Sequence, residues 1–497
     1  MSQPTVQVSV PPSHTSASQK AMTMTLIAAF LGWMFDGLEM GIFPLVARPA
    51  LQEFQQAAGI IDESFVQLWM GRITATFLLG AAAGGLVFGW LGDRIGRVRA
   101  MILSVLAYSL FTGLNYFAHA PWQLATFRFI AALGMGGEWS LGVALVMEAW
   151  PRDKRPLMAG VIGAAANVGY LLIAFIAVQF HITRESWRWV MLVGAAPALI
   201  TLGIAYFVPE SERWEESVAK HGKGKPLREI FSGVLLKNTV LSILFASVAL
   251  IVTWGIVQWI PLWADQLTVN RLKQQQTELN ERMGKQFASA AGTSATVIQN
   301  FNKNNVKGAI DEMQKLENQL KQAGLTELAT AQGVIRSNAE KQPKVKGLIQ
   351  VYSSIGAILG CLIAPLIGGA LGRRPVYFGL CLGSLIVCSI LFRAFHEYNF
   401  AFLLMVGVVG MFTAAFYGWL PQYLPELFPT RVRATGQGVA FNSGRILAAL
   451  GAWNMGSIMG WFDKSYPNAG AAVVFVYVVG MVLIWFAPET KGKPLPE

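Results

Sequence analysis

The stretch LGWMFDGLEMGIFPL, Leu31 to Leu45, sets Asp36 and Glu39 three residues apart inside an otherwise apolar run. At helical spacing the two carboxyls share one face. A charged side chain in hydrocarbon costs roughly 2.5–3.5 kcal/mol on insertion scales, so acids kept there have a use. Either they take up a proton on one side of a barrier and release it on the other, or they anchor a hydrogen bond or ion pair to a neighbouring helix. Glu138, in GMGGEWSLGVALVMEAWPRDKR, is a third such acid. Arg128 precedes it by ten residues, about 15 Å along a helix, too far for a direct pair. It is left to an acid of the first run or to an incoming anion. Arg445 stands about eleven residues into another apolar run, with Asn442 one turn earlier on the same side. A guanidinium is permanently charged and forks onto a carboxylate, so Arg445 is the candidate to hold an acid group. The alternative is a salt bridge to Asp36, Glu39 or Glu138. Trp254, Gln258, Trp259, Tyr352, Tyr417, Gln422, Asn167 and Tyr170 supply aromatic and amide groups that could complete a cavity, although packing explains each one equally well by itself.

Other chemistries find no footing. No nucleophile is paired with a base, no ligand cluster has metal spacing and no cofactor loop is present, so neither an enzyme nor a cofactor or metal is expected. Gly134, Gly136 and Gly137 follow no strand and read as small residues for close helix packing rather than a nucleotide loop. Cys361, Cys381 and Cys388 are scattered within apolar runs and say little about redox compartment.

The elements that must position these residues are membrane helices. Of 497 residues, 54% are hydrophobic and 13% charged, far too oily for a soluble domain. Runs long enough to cross a bilayer lie near 22–46, 73–92, 99–118, 123–148, 157–180 and 187–208, then near 239–264, 347–371, 376–395, 399–424, 434–460 and 470–487. Residues 1–20 are polar, carry only Lys20 and read as a disordered cytoplasmic tail rather than a signal peptide. With the amino terminus inside the cell, cytoplasmic segments hold 19 of the 39 Lys and Arg, short outer loops hold 6 and a long outer insert holds 12. The short loops set orientation, so both ends are expected in the cytoplasm. Much of the +11 net charge is then topology, and no nucleic-acid partner is implied.

Three matched segments show an internal repeat. GRVR at Gly96 answers GRRP at Gly372, 276 residues on; EAWPRDKRPLMAG from Glu148 answers ELFPTRVRATGQG from Glu426 at 278; PES at Pro209 answers PET at Pro488 at 279. Each falls at the same end of an equivalent run, as a duplicated bundle requires. The expected domains are 21–208 and 239–487, six helices each, a cytoplasmic linker at 209–238, an extracytoplasmic insert at 266–346 and a cytoplasmic tail at 488–497.

Outside residues 1–20 and the insert, the chain resembles the major facilitator superfamily of secondary transporters. The most specific match is GWLGDRIGRVR, Gly89 to Arg99, which is similar to the family's signature loop between its second and third spans. The resemblance implies an all-α membrane protein of two six-helix bundles, with Asp93 latching them on the cytoplasmic side and Arg94 and Arg97 beside it. Glu148, Arg155, Glu426 and Arg433 look like paired cytoplasmic gating clusters. Gly369 stands where the second half would carry the equivalent of Asp93, so a latch there is expected to be incomplete. PESERW and PETKG look like sugar-porter endings, but FDGLEM and the fourth run are more similar to proton symporters of sialate, lactate and aromatic acids. The expected activity is therefore proton-coupled symport of a small organic anion, with Asp36, Glu39 and Glu138 as proton carriers. Arg445, Arg128, Asn442, Gln258, Trp254, Tyr352 and Tyr417 are the expected substrate contacts. A sugar porter and a non-transporting nutrient sensor on the same scaffold are the alternatives. The insert departs from the family pattern; VKGAIDEMQKLENQLKQAGL predicts an amphipathic helix ended near Gly324, paired with another over about 269–290. A lid, a docking site for an extracytoplasmic partner and a passive hairpin all remain open for it.

Overall fold

In the computed structural model, residues 16–497 are described apart from 60–62, 181, 223–224, 256, 285–290, 303–304, 455–458 and 464. The expected disorder of the tail therefore lies outside the described residues, except that Ser16 to Lys20 already belong to the first helix. The described residues form helices and turns without a strand. The first half contains α1 (Ser16–Ala57), α2 (Glu63–Ile95), α3 (Arg97–Leu114), α4 (Pro121–Ala149), α5 (Arg155–Gln179), α6 (Trp187–Val193) and α7 (Ala198–Phe207). Short helices α8 (Glu212–His221) and α9 (Pro226–Ile230) form the linker. The second half follows with α10 (Gly233–Gly255), the insert helices α11 (Ile260–Gly284), α12 (Ala291–Asn302), α13 (Val306–Gln322) and α14 (Thr326–Lys341), then α15 (Val345–Leu371), α16 (Arg373–Ala394), α17 (Phe400–Ala414), α18 (Phe416–Tyr423), α19 (Arg433–Trp453), α20 (Tyr466–Val473) and α21 (Val476–Leu483).

Ten stretches are long and apolar enough to cross a membrane among the described residues. The broken pair α6 and α7, and α19 with its polar and charged residues, supply the two further crossings expected from the sequence. Helices are the economical solution here because each satisfies its own backbone hydrogen bonds in a medium without water. Several runs expected to be single helices are interrupted: α6 gives way to α7 through a turn before Pro197, and α17 to α18 at Ala415. The first helix instead runs past its expected end to Ala57, through Pro44 and Pro49.

The halves meet along α2 against α19 and α5 against α15 and α18. Small residues allow this approach: a Cβ on Gly438 would overlap the Gly85 carbonyl, and one on Gly163 would overlap the Tyr417 carbonyl. Gly134 and Gly136 pack in the same manner against α3 and α2.

The insert is more than the expected helix pair. Among the described residues it is a bundle of four helices with its own core, including Leu272, Leu279, Phe301, Met313, Leu316 and Leu320. At its centre Gln276 and Gln332 exchange amide hydrogen bonds at 3.0 and 3.1 Å, and Gln276 also donates to Ser294 at 3.0 Å. Gly324 ends α13 as expected, with φ at +73°. The Leu325 amide donates to the Leu320 carbonyl and the Gly324 amide to the Lys321 carbonyl, closing the helix end around a left-handed residue. The insert is also not separate from the membrane helices. After the break at Val257–Trp259, α11 carries the chain from the membrane into the insert, and α14 returns through Gln342–Lys344 directly into α15.

Candidate functional site

A cavity of about 170 Å³ opens between the halves. Its lining comes from the insert-side portions of the helices: Met70, Thr74 and Phe77 of α2, Lys346 to Ala357 of α15, and Leu250 to Leu262 around the α10–α11 break. Arg445, Phe441, Tyr417 and Trp33 line its deeper part. The expected contacts Arg128, Trp254, Gln258, Tyr417 and Arg445 are brought together here, with Asn167, Tyr170 and Trp259. Gln258 donates to the Tyr170 hydroxyl at 2.9 Å, tying the second half to the first across the cavity.

Two expected contacts do not reach it. Asn442 is fully buried and does not line the cavity, its amide donating to the carbonyls of Gly136 (2.9 Å) and Gly438 (3.0 Å) and its oxygen accepting from the Arg445 guanidinium. Tyr352 turns from the cavity toward Phe400, with ring centroids 6.4 Å apart. Helical spacing identifies a shared face but not which neighbour that face meets, hence both corrections. Gln422 is likewise elsewhere, donating to the Pro365 carbonyl at 2.9 Å.

The sequence did not single out the aromatic floor. Phe441 stacks on Trp139 with centroids 4.0 Å apart and meets Trp33 edge-on at 6.2 Å, so rings from both halves close one layer. Arg445 lies over Phe441 at 5.2 Å. Only the tryptophan count hinted at this cluster; the partners come from three different helices.

The buried charges divide into a paired and an unpaired set. Glu39 forms an ion pair with Arg128 at 2.9 Å, both side chains being essentially without exposure, and the guanidinium lies over Phe43 at 4.5 Å and Phe77 at 4.8 Å. Asp36 is fully buried, and neither of its oxygens has a hydrogen-bond partner among the described protein groups. Its field is shared with Glu138, Arg445 and Glu39. Glu138 sits against Gly32, where a Cβ would overlap its carboxyl. None of the three acids lines the cavity; they stand behind it in the first half. Among the described lining residues are three cations, Arg128, Lys346 and Arg445, and no Asp or Glu. Arg128 pairs with Glu39 and Lys346 with Asp265, at 3.2 Å; Arg445 has no carboxylate within 4.0 Å among the described residues.

At the opposite end, the linker side, the halves are bonded together. Asp93 accepts from the Thr435 amide at 2.8 Å and the Thr435 hydroxyl at 2.5 Å, and pairs with Arg97 at 2.6 Å. Thr435 is the third residue of α19, so the carboxylate of one half caps a helix amino terminus of the other. Arg97 donates to the Thr430 carbonyl at 2.8 Å, and Glu148 pairs with Arg97 at 3.3 Å and Arg433 at 2.9 Å. Arg433 also donates to the Pro496 carbonyl at 2.8 Å. The repeat explains the layout. Gly96 (φ +112°) and Gly372 (φ +111°) adopt the same left-handed turn, and the following amides are accepted by Glu210 and Glu489, the acids of the PES and PET motifs. Burial works to raise the Glu489 carboxyl, but the amides of Arg373, Lys491, Arg374 and Thr490 outweigh it and hold it below its ordinary value. The second-half copy is incomplete. Gly369 packs against Pro156, while Glu426 bonds within its own half to Arg373 (2.5 Å) and Thr490 (2.6 Å). Two further residues expected to gate make no bond across to the other half among the described residues. Arg155 donates to the Trp150 carbonyl at 3.1 Å, and exposed Arg94 lies over Trp90 of its own helix at 5.1 Å.

Against known families, the description "Major Facilitator Superfamily" matches residues 22–298, more than half of the chain. The chain belongs to the major facilitator superfamily. It is a multi-pass membrane transporter, not an enzyme. Residues 378–497 also match the family described as "Sugar (and other) transporter". The cis,cis-muconate transport protein of Acinetobacter baylyi is 23% identical, the match covering 95% of this chain and 95% of that protein. The sialic acid transporter NanX of Escherichia coli is also 23% identical, over 92% of this chain and 91% of its own length. The inner membrane metabolite transport protein YgcS of the same organism is 25% identical, over 88% of each chain. Among solved structures, the proton:xylose symporter XylE superposes with a TM-score of 0.67 at 17% identity, covering 96% of this chain and 98% of XylE, a likeness of fold alone.

Proposed function

We propose that this superfamily member carries a small organic anion across the membrane together with a proton. One observation carries the reading: among the described lining residues are three cations and no carboxylate, and Arg445 presents a guanidinium with no carboxylate of the described residues within 4.0 Å. The names of the muconate and sialic acid relatives, both acids, support it. Asp36, Glu39 and Glu138 are the proton-carrying candidates because they lie buried and outside the cavity lining, with Asp36 in the fields of Glu138, Arg445 and Glu39. In this reading the halves 21–208 and 239–487 rock about the cavity, and the Asp93–Thr435 and Glu148–Arg433 bonds hold the linker side shut. The distribution of Lys and Arg supports a cytoplasmic linker side with both termini there, and an insert on the outer face of an inner membrane.

The sugar-porter reading draws on the family match of residues 378–497. Uptake into proteoliposomes separates the two. Labelled carboxylates accumulating under an inward proton gradient, and hexoses failing to, are the expected result. Accumulation of hexoses alone would reverse the assignment, and binding without accumulation of either would favour a sensor.

A further inference from the structure

Two lining cations stand outside the buried Arg128–Glu39 pair, and they sit apart in the cavity. Arg445 is deep, 2% exposed, and its Nε has no hydrogen-bond partner among the described groups. Lys346 stands at the amino-terminal end of α15, where the insert rejoins the membrane helices, with its side chain 28% exposed. The third cation, Arg128, is committed to its buried pair with Glu39. From Lys346, α15 contributes Gln350, Ser353 and Ala357 to one wall, eleven residues or about 16 Å of helix, so Lys346 marks the insert-side limit of that wall.

Lys346 is held by Asp265, on the part of α11 that leaves the membrane, at 3.2 Å, and the other Asp265 oxygen accepts from Gln342 at the base of the insert. The pair is partly buried, its side chains 28% and 13% exposed, and another carboxylate can replace Asp265 on the ammonium where Lys346 reaches the cavity. If Lys346 turns to a ligand, Asp265 retains the Gln342 donor and is not left bare.

We propose that the preferred cargo is a dianion, a small dicarboxylate whose one carboxylate is forked on Arg445 while the other is taken by Lys346 in exchange for Asp265. The inference rests on the organic-anion reading above. A monocarboxylate would engage Arg445 and leave the Lys346–Asp265 pair intact, so Lys346 sets the preference between the two classes. The aromatic and apolar lining between them, including Trp254, Tyr170 and Phe77, suits the carbon skeleton. The insert then has a role in specificity, because Asp265 and Gln342, which position Lys346, lie at its two junctions with the membrane helices.

The test is equilibrium binding to the purified full chain, read by tryptophan fluorescence, since Trp33 and Trp254 line the cavity. Succinate, adipate and suberate are compared with butyrate, hexanoate and octanoate, and with hexoses. The best dicarboxylate is expected to bind about tenfold or more tightly than the monocarboxylate of equal length, as one added charge-assisted pair implies. Lys346→Gln is expected to collapse that ratio toward one. Asp265→Asn is expected to widen it, because Lys346 then has no acid to leave, and this opposite response separates recognition from loss of fold. A wild-type ratio of one or less, or a ratio that Lys346→Gln leaves unchanged, overturns the dianion inference while the anion reading stands. Binding of hexoses with no acid bound removes both.

Discussion

Replacing Asp93 by Asn tests the linker-side latch most directly. The substitution is nearly isosteric and leaves an oxygen to accept from Thr435, so geometry is kept while the charge is lost. Lost with it are the 2.6 Å ion pair with Arg97 and the charged character of two hydrogen bonds from Thr435, at 2.8 and 2.5 Å. Arg97 keeps the Gly92 carbonyl and Glu148 within the first half and the Thr430 carbonyl across to the second, which limits the damage. The part that crosses between halves is a carboxylate on the amino terminus of α19. Hydrogen bonds to charged groups contribute about 1.5–3 kcal/mol, so the closed state should lose that much relative to the open one, a shift of roughly ten- to 150-fold. Ser140 offers a reporter, being fully buried and facing Gly438 of the other half. With Cys361, Cys381 and Cys388 replaced, Ser140→Cys should react with an impermeant maleimide in inverted vesicles about tenfold or more faster when Asp93→Asn is added. Arg94→Gln, at an exposed side chain that lies over Trp90 of its own helix, should leave the rate unaltered. An unchanged labelling rate with Asp93→Asn would refute the latch and leave the loop as an anchor of orientation.

Arg445→Lys keeps the charge but loses the planar fork, so carboxylate binding measured by calorimetry should weaken by about tenfold or more, with Arg445→Ala weaker still. Equal binding by all three proteins would move the anion site elsewhere. Of Asp36→Asn, Glu39→Gln and Glu138→Gln, at least one should abolish accumulation driven by an imposed pH gradient while substrate exchange persists; normal accumulation by all three removes the proton assignment. In the insert, the hydrogen bond from Lys321 (2.6 Å), helped by Arg336 (3.0 Å), holds the Glu317 carboxyl below its ordinary value. A depressed folded-state pKa contributes stability that is present above the unfolded value near 4.5 and lost as pH falls through the lowered one. Glu317→Gln should therefore destabilise the insert by about 1 kcal/mol at neutral pH, discounted for the exposed Lys321, and by less in acid; hydrogen exchange of α13 and α14 that is equal at both pH values would contradict this.

Local composition determined much of this protein. Apolar runs of the right length specify membrane helices regardless of what they pack against, because an unsatisfied backbone is prohibitive in hydrocarbon. The offsets linking Gly96 to Gly372 and Glu210 to Glu489 were readable as a repeat, and the two halves place these residues in matching turns. The cost of buried charge alone singled out Asp36, Glu39, Glu138, Arg128 and Arg445, all of which lie in the interior.

Tertiary structure decided the partners. Arg128 was open to an acid of the first helix or to a ligand, and the crossing of α4 over α1 gave it Glu39. Asn442 and Tyr352 were candidates for the cavity from the sequence, yet rotation of their helices turned one behind Arg445 and the other toward Phe400. Lys346 looked like an ordinary insert charge until α14 ran straight into α15 and set it on the cavity wall. Trp33, Trp139 and Phe441 are about a hundred or more residues from one another in sequence and form one layer only because two halves close on it. Periodicity along a chain reports which residues share a face; the neighbour that face meets depends on helix rotation and crossing, which are set by contacts between distant segments.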